Sequence, residues 1–177
     1  MAQRGVLYTV WGNFDEALLE RSLSSVEIHH PELPIEVARL PDDSTLLDKA
    51  GMLALSPFDE TLYLDADTVV LGNLNFGFEK ALRHGLACSI CECPWARRYG
   101  GLAGDMVEYN TGVLFFSEQA RPVFDAWKSA VAVLDSSIVF QNGNEMARMP
   151  LNDQAGFAKA VDDIGFPLFV LPYNWNF

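Results

Sequence analysis

The sequence predicts an α/β layered fold built from βαβ units. Three observations lead there. Short apolar runs alternate with helix-length amphipathic stretches along the whole chain. Half of the 177 residues are hydrophobic, enough for one buried core and too many for extended disorder. The clearest acidic pair, Asp65 and Asp67, stands at the end of an apolar strand, where open α/β sheets bind their ligands. The length fits a single domain over residues 1–177, and no linker, repeat or low-complexity segment divides it.

Gly5–Val10 is a compact apolar run and reads as a buried strand. Asn13, with Glu16 three residues on, caps a helix whose inner face carries Leu18, Leu19, Leu23 and Val26 and which stops near His30-Pro31. Pro34–Leu40 is a second strand, and Ser44 caps a short helix holding Leu47, Lys49, Met52 and Leu53. Thr61–Leu64 is a third strand, followed by an extended Thr68–Leu71. Phe76–His84 is helical and Leu86–Cys91 is a strand. Pro94–Asp105 is a loop broken by Gly100, Gly101 and Gly104. Gly112–Phe116 is a strand, and Glu118–Leu134 is a helix with Val123, Trp127, Val131 and Leu134 inward. The stretch 135–150 is irregular, Leu151–Val161 is a short helix and Pro167–Leu171 a last strand.

Lys and Arg number 12 against 24 Asp and Glu, so the net charge of −12 excludes nucleic acid and a polybasic membrane contact as partners. Phosphate ligands stay compatible if a divalent cation inverts the local field. No apolar run approaches the ~18 residues of a membrane span. Val6–Val10 is too short for a signal peptide. The three cysteines, Cys88, Cys91 and Cys93, crowd into six residues and do not form a disulfide framework. The compartment expected is therefore cytoplasmic.

Tyr63-Leu64-Asp65-Ala66-Asp67-Thr68 carries the strongest chemical signal. Carboxylates two apart share a face of an extended chain and repel unless a cation lies between them. Hard oxygens suit Mn²⁺ or Mg²⁺. Asn110-Thr111-Gly112 precedes an apolar strand, and the glycine permits close approach of a ligand or backbone. Asn152-Asp153-Gln154 reads equally as a helix cap or as a polar cluster at a cleft. Cys88, Cys91, Cys93 and His84 make a weak zinc alternative to buried thiols. Arg97 and Arg98, between Trp95 and Tyr99, suggest either a solvated loop or a lid that meets phosphate. Trp175 either lines a ligand subsite or anchors the C-terminal segment.

In order and spacing, these features resemble the GT-A glycosyltransferases of the glycogenin and lipopolysaccharide galactosyltransferase type, family 8. The match runs from Tyr8-Thr9-Val10 through Lys49, Asp65-Ala66-Asp67, Asn110-Thr111-Gly112 and Asn152-Asp153-Gln154 to Leu171-Pro172-Tyr173-Asn174-Trp175-Asn176. The resemblance implies a Rossmann-like GT-A nucleotide-diphospho-sugar transferase fold, with a mixed, mostly parallel sheet flanked by helices. It implies a UDP-sugar donor bound by Tyr8, Val10, Trp11, Lys49, Asp65, Ala66, Asn110, Thr111 and Gly112. Asp65 and Asp67 would hold Mn²⁺ or Mg²⁺, Asp153 and Gln154 would sit beside the anomeric carbon as the catalytic pair, and configuration would be retained. The acceptor stays unspecified, and a second copy of the chain is a further candidate partner. The family's C-terminal metal-binding His motif has no match here, since the histidines are His29, His30 and His84. Two rivals remain at this point. One is a haloacid-dehalogenase-type phosphohydrolase, with Asp65 as nucleophile, Asp67 as acid/base and Asp162-Asp163 as its second acidic pair. The other is a nucleotide-sugar-binding module without turnover.

Overall fold

A computed structural model describes residues 3–91 and 99–176. Strands β1 (Arg4–Val10), β2 (Ile35–Arg39), β3 (Glu60–Leu64), β4 (Leu86–Ile90), β5 (Tyr109–Ser117) and β8 (Phe169–Leu171) form one sheet in the order β2-β1-β3-β5-β4-β8. Only β5 runs against the other five, pairing antiparallel with both β3 and β4. The helices are α1 (Glu16–His29), α2 (Met52–Leu55), α3 (Asn75–His84), α4 (Arg121–Val131) and α5 (Asp153–Ile164). Two further strands, β6 (Ile138–Asn142) and β7 (Glu145–Met149), make a separate antiparallel hairpin.

Period-2 alternation along the strands builds two cores. Val6, Tyr8 and Val10 of β1 join Leu62, Leu64 and Phe115 under α1 and α3. Leu7, Tyr63, Leu114 and Phe116 face the other way, against Val123, Phe124 and Trp127 of α4 and Phe157 and Ala160 of α5. Both sheet faces are covered, which is why the central strands read as continuous apolar runs. Among the described residues, no helix is long and apolar enough to cross a membrane.

Several expectations need correction. The cap of α1 is Asp15, whose carboxylate accepts from the Ala17 amide, and not Asn13. Leu18 is exposed; the buried positions of α1 are Leu19, Ser22, Ser25 and Val26. The helix around Lys49 begins as a 3₁₀ turn, Leu46–Gly51, capped by Thr45 in a reciprocal box with Asp48, rather than by Ser44. Thr68–Leu71 is not a strand, because the chain turns at Ala66-Asp67 and runs on irregularly to α3. β5 begins three residues earlier than expected, so Asn110, Thr111 and Gly112 lie within the strand. The helix expected over Glu118–Leu134 opens with a 3₁₀ turn and ends at Val131, with Pro122 in its first turn, where a missing amide is harmless. The stretch 135–150 holds the β6–β7 hairpin, which closes at Gly143 with φ +60°. The Arg97–Arg98 loop and Cys93 lie outside the described residues. Cys88 and Cys91 are both buried, and burial pushes the Cys88 thiol far up.

Gly77, inside α3, shows how tightly the upper helix meets the sheet. A Cβ there would lie 2.4 Å from the Phe115 ring. That ring is fully buried and packs edge-on against Phe78 at 5.1 Å, so it has nowhere to retreat. We expect Gly77→Ala to destabilise the chain by about 1–3 kcal/mol despite the better helix propensity of Ala. Urea unfolding checks this, and an unchanged midpoint would contradict it.

Candidate functional site

β3 leaves the sheet at Leu64, still in register with Val113 of β5, and the next amide, Asp65, bonds the Gly112 carbonyl at 2.8 Å. The ladder therefore reaches one residue past the strand and fixes the backbone of Asp65. Tyr63 precedes it by two residues, and its hydroxyl donates to Asp65 Oδ1 at 2.8 Å. Thr9 of β1 hydrogen-bonds that same hydroxyl at 3.0 Å.

Lys49 enters from the capped 3₁₀ turn, which packs against α4 and α5. Its side chain is 2% exposed, and its ammonium lies 2.8 Å from Asp65 Oδ1 and 3.2 Å from Asp153 Oδ2. Asp153 is the first residue of α5 and is also buried. Thr111 of β5 donates to its Oδ2 at 2.6 Å. The buried indole of Trp127 donates to its carbonyl at 3.1 Å. Asn152 caps α5 by accepting from the Gln154 amide, and its own amide bonds Ser136 Oγ at 3.0 Å. One ammonium thus joins β3, α5 and the 3₁₀ turn, with β5 tied in through Thr111.

Burial by itself would lower the Lys49 pKa. Attraction from Asp65, from Tyr63 once ionised, and from Asp153 outweighs it, so the ammonium titrates well above its ordinary 10.5. Burial drives the Tyr63 phenol far up as well. Both groups hold their protons at neutral pH.

Of the residues singled out in the sequence, Lys49, Asp65, Asp153 and Thr111 converge directly. Gly112 abuts them: a Cβ there would lie 2.9 Å from Asp65 Oδ2, 3.2 Å from Asn110 Oδ1 and 3.4 Å from Asn176 Nδ2. The Asn110 side chain accepts from the Gly112 amide at 2.8 Å. Gln154 is half-buried, and its Oε1 is enclosed with no hydrogen-bond partner among the described residues. Asp67 is exposed, Ala66 packs against the α1 core and Trp11 is half-buried. Tyr8 and Val10 are buried in the core. The Tyr8 hydroxyl bonds Ser22 at 2.8 Å, and burial pushes its pKa up to about 12. Trp175 lies on Phe115 and Phe76, at 5.7 and 5.8 Å between ring centres. Tyr63 went unremarked in the sequence, although its i−2 spacing from Asp65 on a strand was the available signal.

Asp162 and Asp163 end α5, nine or more residues beyond Asp153 and thus about 13 Å away along the helix. Asp163 pairs with Lys159 at 2.9 Å. The second acidic pair of the phosphohydrolase reading is therefore not at this site. Among the described residues, no group of three or more His, Cys, Asp or Glu side chains is placed to hold a metal.

No protein-family model matches the chain, and no curated protein sequence does. Solved structures match its fold. The apo glycosyltransferase GlyE of Streptococcus pneumoniae gives a TM-score of 0.61 at 15% identity, over 96% of this chain and 45% of that one. The apo bifunctional glycosyltransferase WbbM gives 0.58 at 12% identity, over 97% of this chain and 39% of that one. The 2-C-methyl-D-erythritol 4-phosphate cytidylyltransferase of Thermus thermophilus gives 0.51 at 17% identity, over 97% of this chain and 88% of that one. The chain spans less than half the length of either of these glycosyltransferases. The likeness establishes the fold, a mixed α/β sheet of the GT-A glycosyltransferase type flanked by helices.

Removing the ammonium would leave Asp153 buried and uncompensated beside Asp65. Lys49→Met should cost about 3–5 kcal/mol in urea unfolding at pH 7, and a second change, Asp153→Asn, should recover part of that loss. Because the folded pKa lies above the unfolded one, the Lys49 contribution is fully present below pH 10.5 and fades only as pH rises through the folded value. The stability gap between wild type and Lys49→Met should accordingly stay flat from neutral pH to about 10. A gap that closes in that window would contradict the assignment.

Proposed function

We propose that the chain is a metal-dependent glycosyltransferase of the GT-A type. It moves a sugar from a nucleoside diphosphate donor, a UDP-sugar, to an acceptor with retention at the anomeric carbon. The observation that carries this reading is the convergence of Asp65 and Asp153 on Lys49, with Thr111 bonded to Asp153, at the carboxyl end of β3 in a GT-A sheet.

Charge decides what such a site accepts. Two carboxylates, Asp65 and Asp153, engage the one ammonium, and Asp67 adds an exposed carboxylate two residues beyond Asp65. A diphosphate therefore needs a cation to enter. Asp65 and Asp67 offer hard oxygens, and Asp67 makes no hydrogen bond or ion pair among the described residues. Two carboxylates leave the remaining coordination to water and diphosphate oxygens, a set that suits Mn²⁺ or Mg²⁺. When bound, that ion supplies charge neutralisation for the departing diphosphate.

The chain's own groups do the positioning. Lys49 fixes the carboxylates of Asp65 and Asp153, and the missing side chain of Gly112 lets the Asp65 carboxylate lie against β5. Gln154, whose enclosed carbonyl oxygen has no partner among the described residues, is the group we assign to meet positive charge developing at the anomeric carbon. The acceptor hydroxyl attacks on the face from which the diphosphate leaves. The new C–O bond forms as the bond to the phosphate oxygen breaks, the electron pair leaves with the diphosphate, and the acceptor proton passes to it. The phosphohydrolase alternative lacks its second acidic pair here. A nucleotidyl transfer is favoured by one observation, the match to nearly the full length of the cytidylyltransferase. It would release pyrophosphate from a nucleoside triphosphate.

Calorimetric titration with UDP, UDP-glucose, UDP-galactose and GDP-mannose, each with and without Mn²⁺, tests the reading. Uridine ligands should bind only with the metal, and Asp67→Ala should weaken that binding by more than about 10-fold. Equal binding without metal, or unchanged binding by Asp67→Ala, would sink it. Pyrophosphate release from CTP or UTP with a sugar phosphate would move the assignment to nucleotidyl transfer.

A further inference from the structure

The ten residues from Asp65 to Leu74 form no regular structure, yet they carry the acidic motif and include the buried Val70 and Leu74. Their polar groups must find partners elsewhere. Those partners come from one stripe of α1 and its C-terminal cap. Ser22, Ser25 and His30 are 0%, 7% and 3% exposed, so all three polar groups are enclosed.

Each makes a directed bond. The Ser25 hydroxyl donates to the Ser22 carbonyl at 2.6 Å, so its lone pairs are left to accept from the Val70 amide at 2.9 Å. His30 Nε2 accepts from the Leu74 amide at 2.9 Å, which places the ring proton on Nδ1, 2.8 Å from Glu32 Oε1. Thr68 donates its hydroxyl to the Asp65 carbonyl at 2.7 Å, so toward Ser22, 3.4 Å away, it acts as acceptor. Ser22 then donates to Thr68 and accepts from Tyr8 at 2.8 Å. The resulting relay runs from Tyr8 through Ser22 and Thr68 to the backbone of Asp65. Three rungs at successive heights of α1 thus hold the segment that carries Asp67 at its start, its middle and its end.

We propose that Ser22, Ser25 and His30 are positioning residues for the acidic motif: they set the backbone of 65–74 and so the placement of Asp67 toward a divalent cation. The inference rests on the metal–diphosphate reading above, and its test separates the two. Free Mn²⁺ is measured by electron paramagnetic resonance, UDP binding by calorimetry with Mn²⁺, and exchange of the Val70 and Leu74 amides by nuclear magnetic resonance. All are made at low temperature, where each variant is folded. Ser25→Ala and His30→Leu should speed exchange at Val70 and Leu74 respectively by at least about tenfold. Each should weaken Mn²⁺ binding by about 10–100-fold. His30→Gln, which restores an acceptor near the Nε2 position, should return both readouts toward wild type. A purely structural role would lower the melting temperature while leaving Mn²⁺ affinity at the wild-type value, and that result overturns the proposal. Unchanged amide exchange overturns the ladder itself. A wild-type chain that binds Mn²⁺ but no UDP defeats the nucleotide reading alone, and the ladder is then judged on Mn²⁺. A chain that takes neither defeats both.

Discussion

The buried ammonium of Lys49 is the constraint around which the sheet's ligand-binding end is organised. A lysine at 2% exposure is strongly unfavourable unless its charge is met. Here Asp65 and Asp153 meet it, and Tyr63 and Thr111 occupy the oxygens those carboxylates would otherwise offer to water. Such an arrangement gains little net stability over an apolar replacement of the same shape. What it secures is geometry. The ion pairs hold β3, the 3₁₀ turn and α5 in one mutual placement, and that placement brings Asp65, Asp153 and Gly112 together.

The neighbouring packing serves the same placement from behind. Trp127, fully buried in α4, both fills the lower core and holds the Asp153 carbonyl. Gly156, one turn into α5, lets α4 approach so closely that a Cβ would lie 2.7 Å from Val131. On the opposite face, the α1 serines and His30 perform the equivalent task for the segment after β3. The two halves of the acidic motif are therefore supported from different sides of the sheet. Asp65 is held by the α4–α5 face and the approach to Asp67 by the α1 face.

The succession of strands along the chain and the position of the acidic pair could be read from the sequence because both depend on local, strongly patterned signals. Apolar runs marked β1, β3 and β5, and the carboxylates after Leu64 stood out against them. The supporting groups were harder to see. Ser22 and Ser25 are polar, so a search for an apolar face of α1 passed over them and chose Leu18, which is exposed. Tyr8 sits two residues from a strand end, where position suggests a ligand contact, but the pleat turns it inward toward Ser22. The β6–β7 hairpin had its signal in Asn142-Gly143, yet its strands mix exposed and half-buried residues and lack clean alternation. Lys49 and Asp153 are far apart in sequence, and only tertiary closure shows that they share a charge.

On the proposed function, that shared charge also bears on how an acidic protein would take an anionic ligand. Were Lys49 unpaired, it would attract phosphate directly, and a metal would be dispensable. Paired twice, it has no attraction to spare, and Asp67 adds a further negative charge at the surface. A bare diphosphate arriving here would meet repulsion, whereas one carrying a divalent ion would meet the carboxylates of Asp65 and Asp67. On the proposed function, the lysine would favour the metal complex over the free anion. It would do so by neutralising only part of the carboxylate charge, while keeping Asp65 in an orientation that electrostatic repulsion from Asp153 would otherwise disturb.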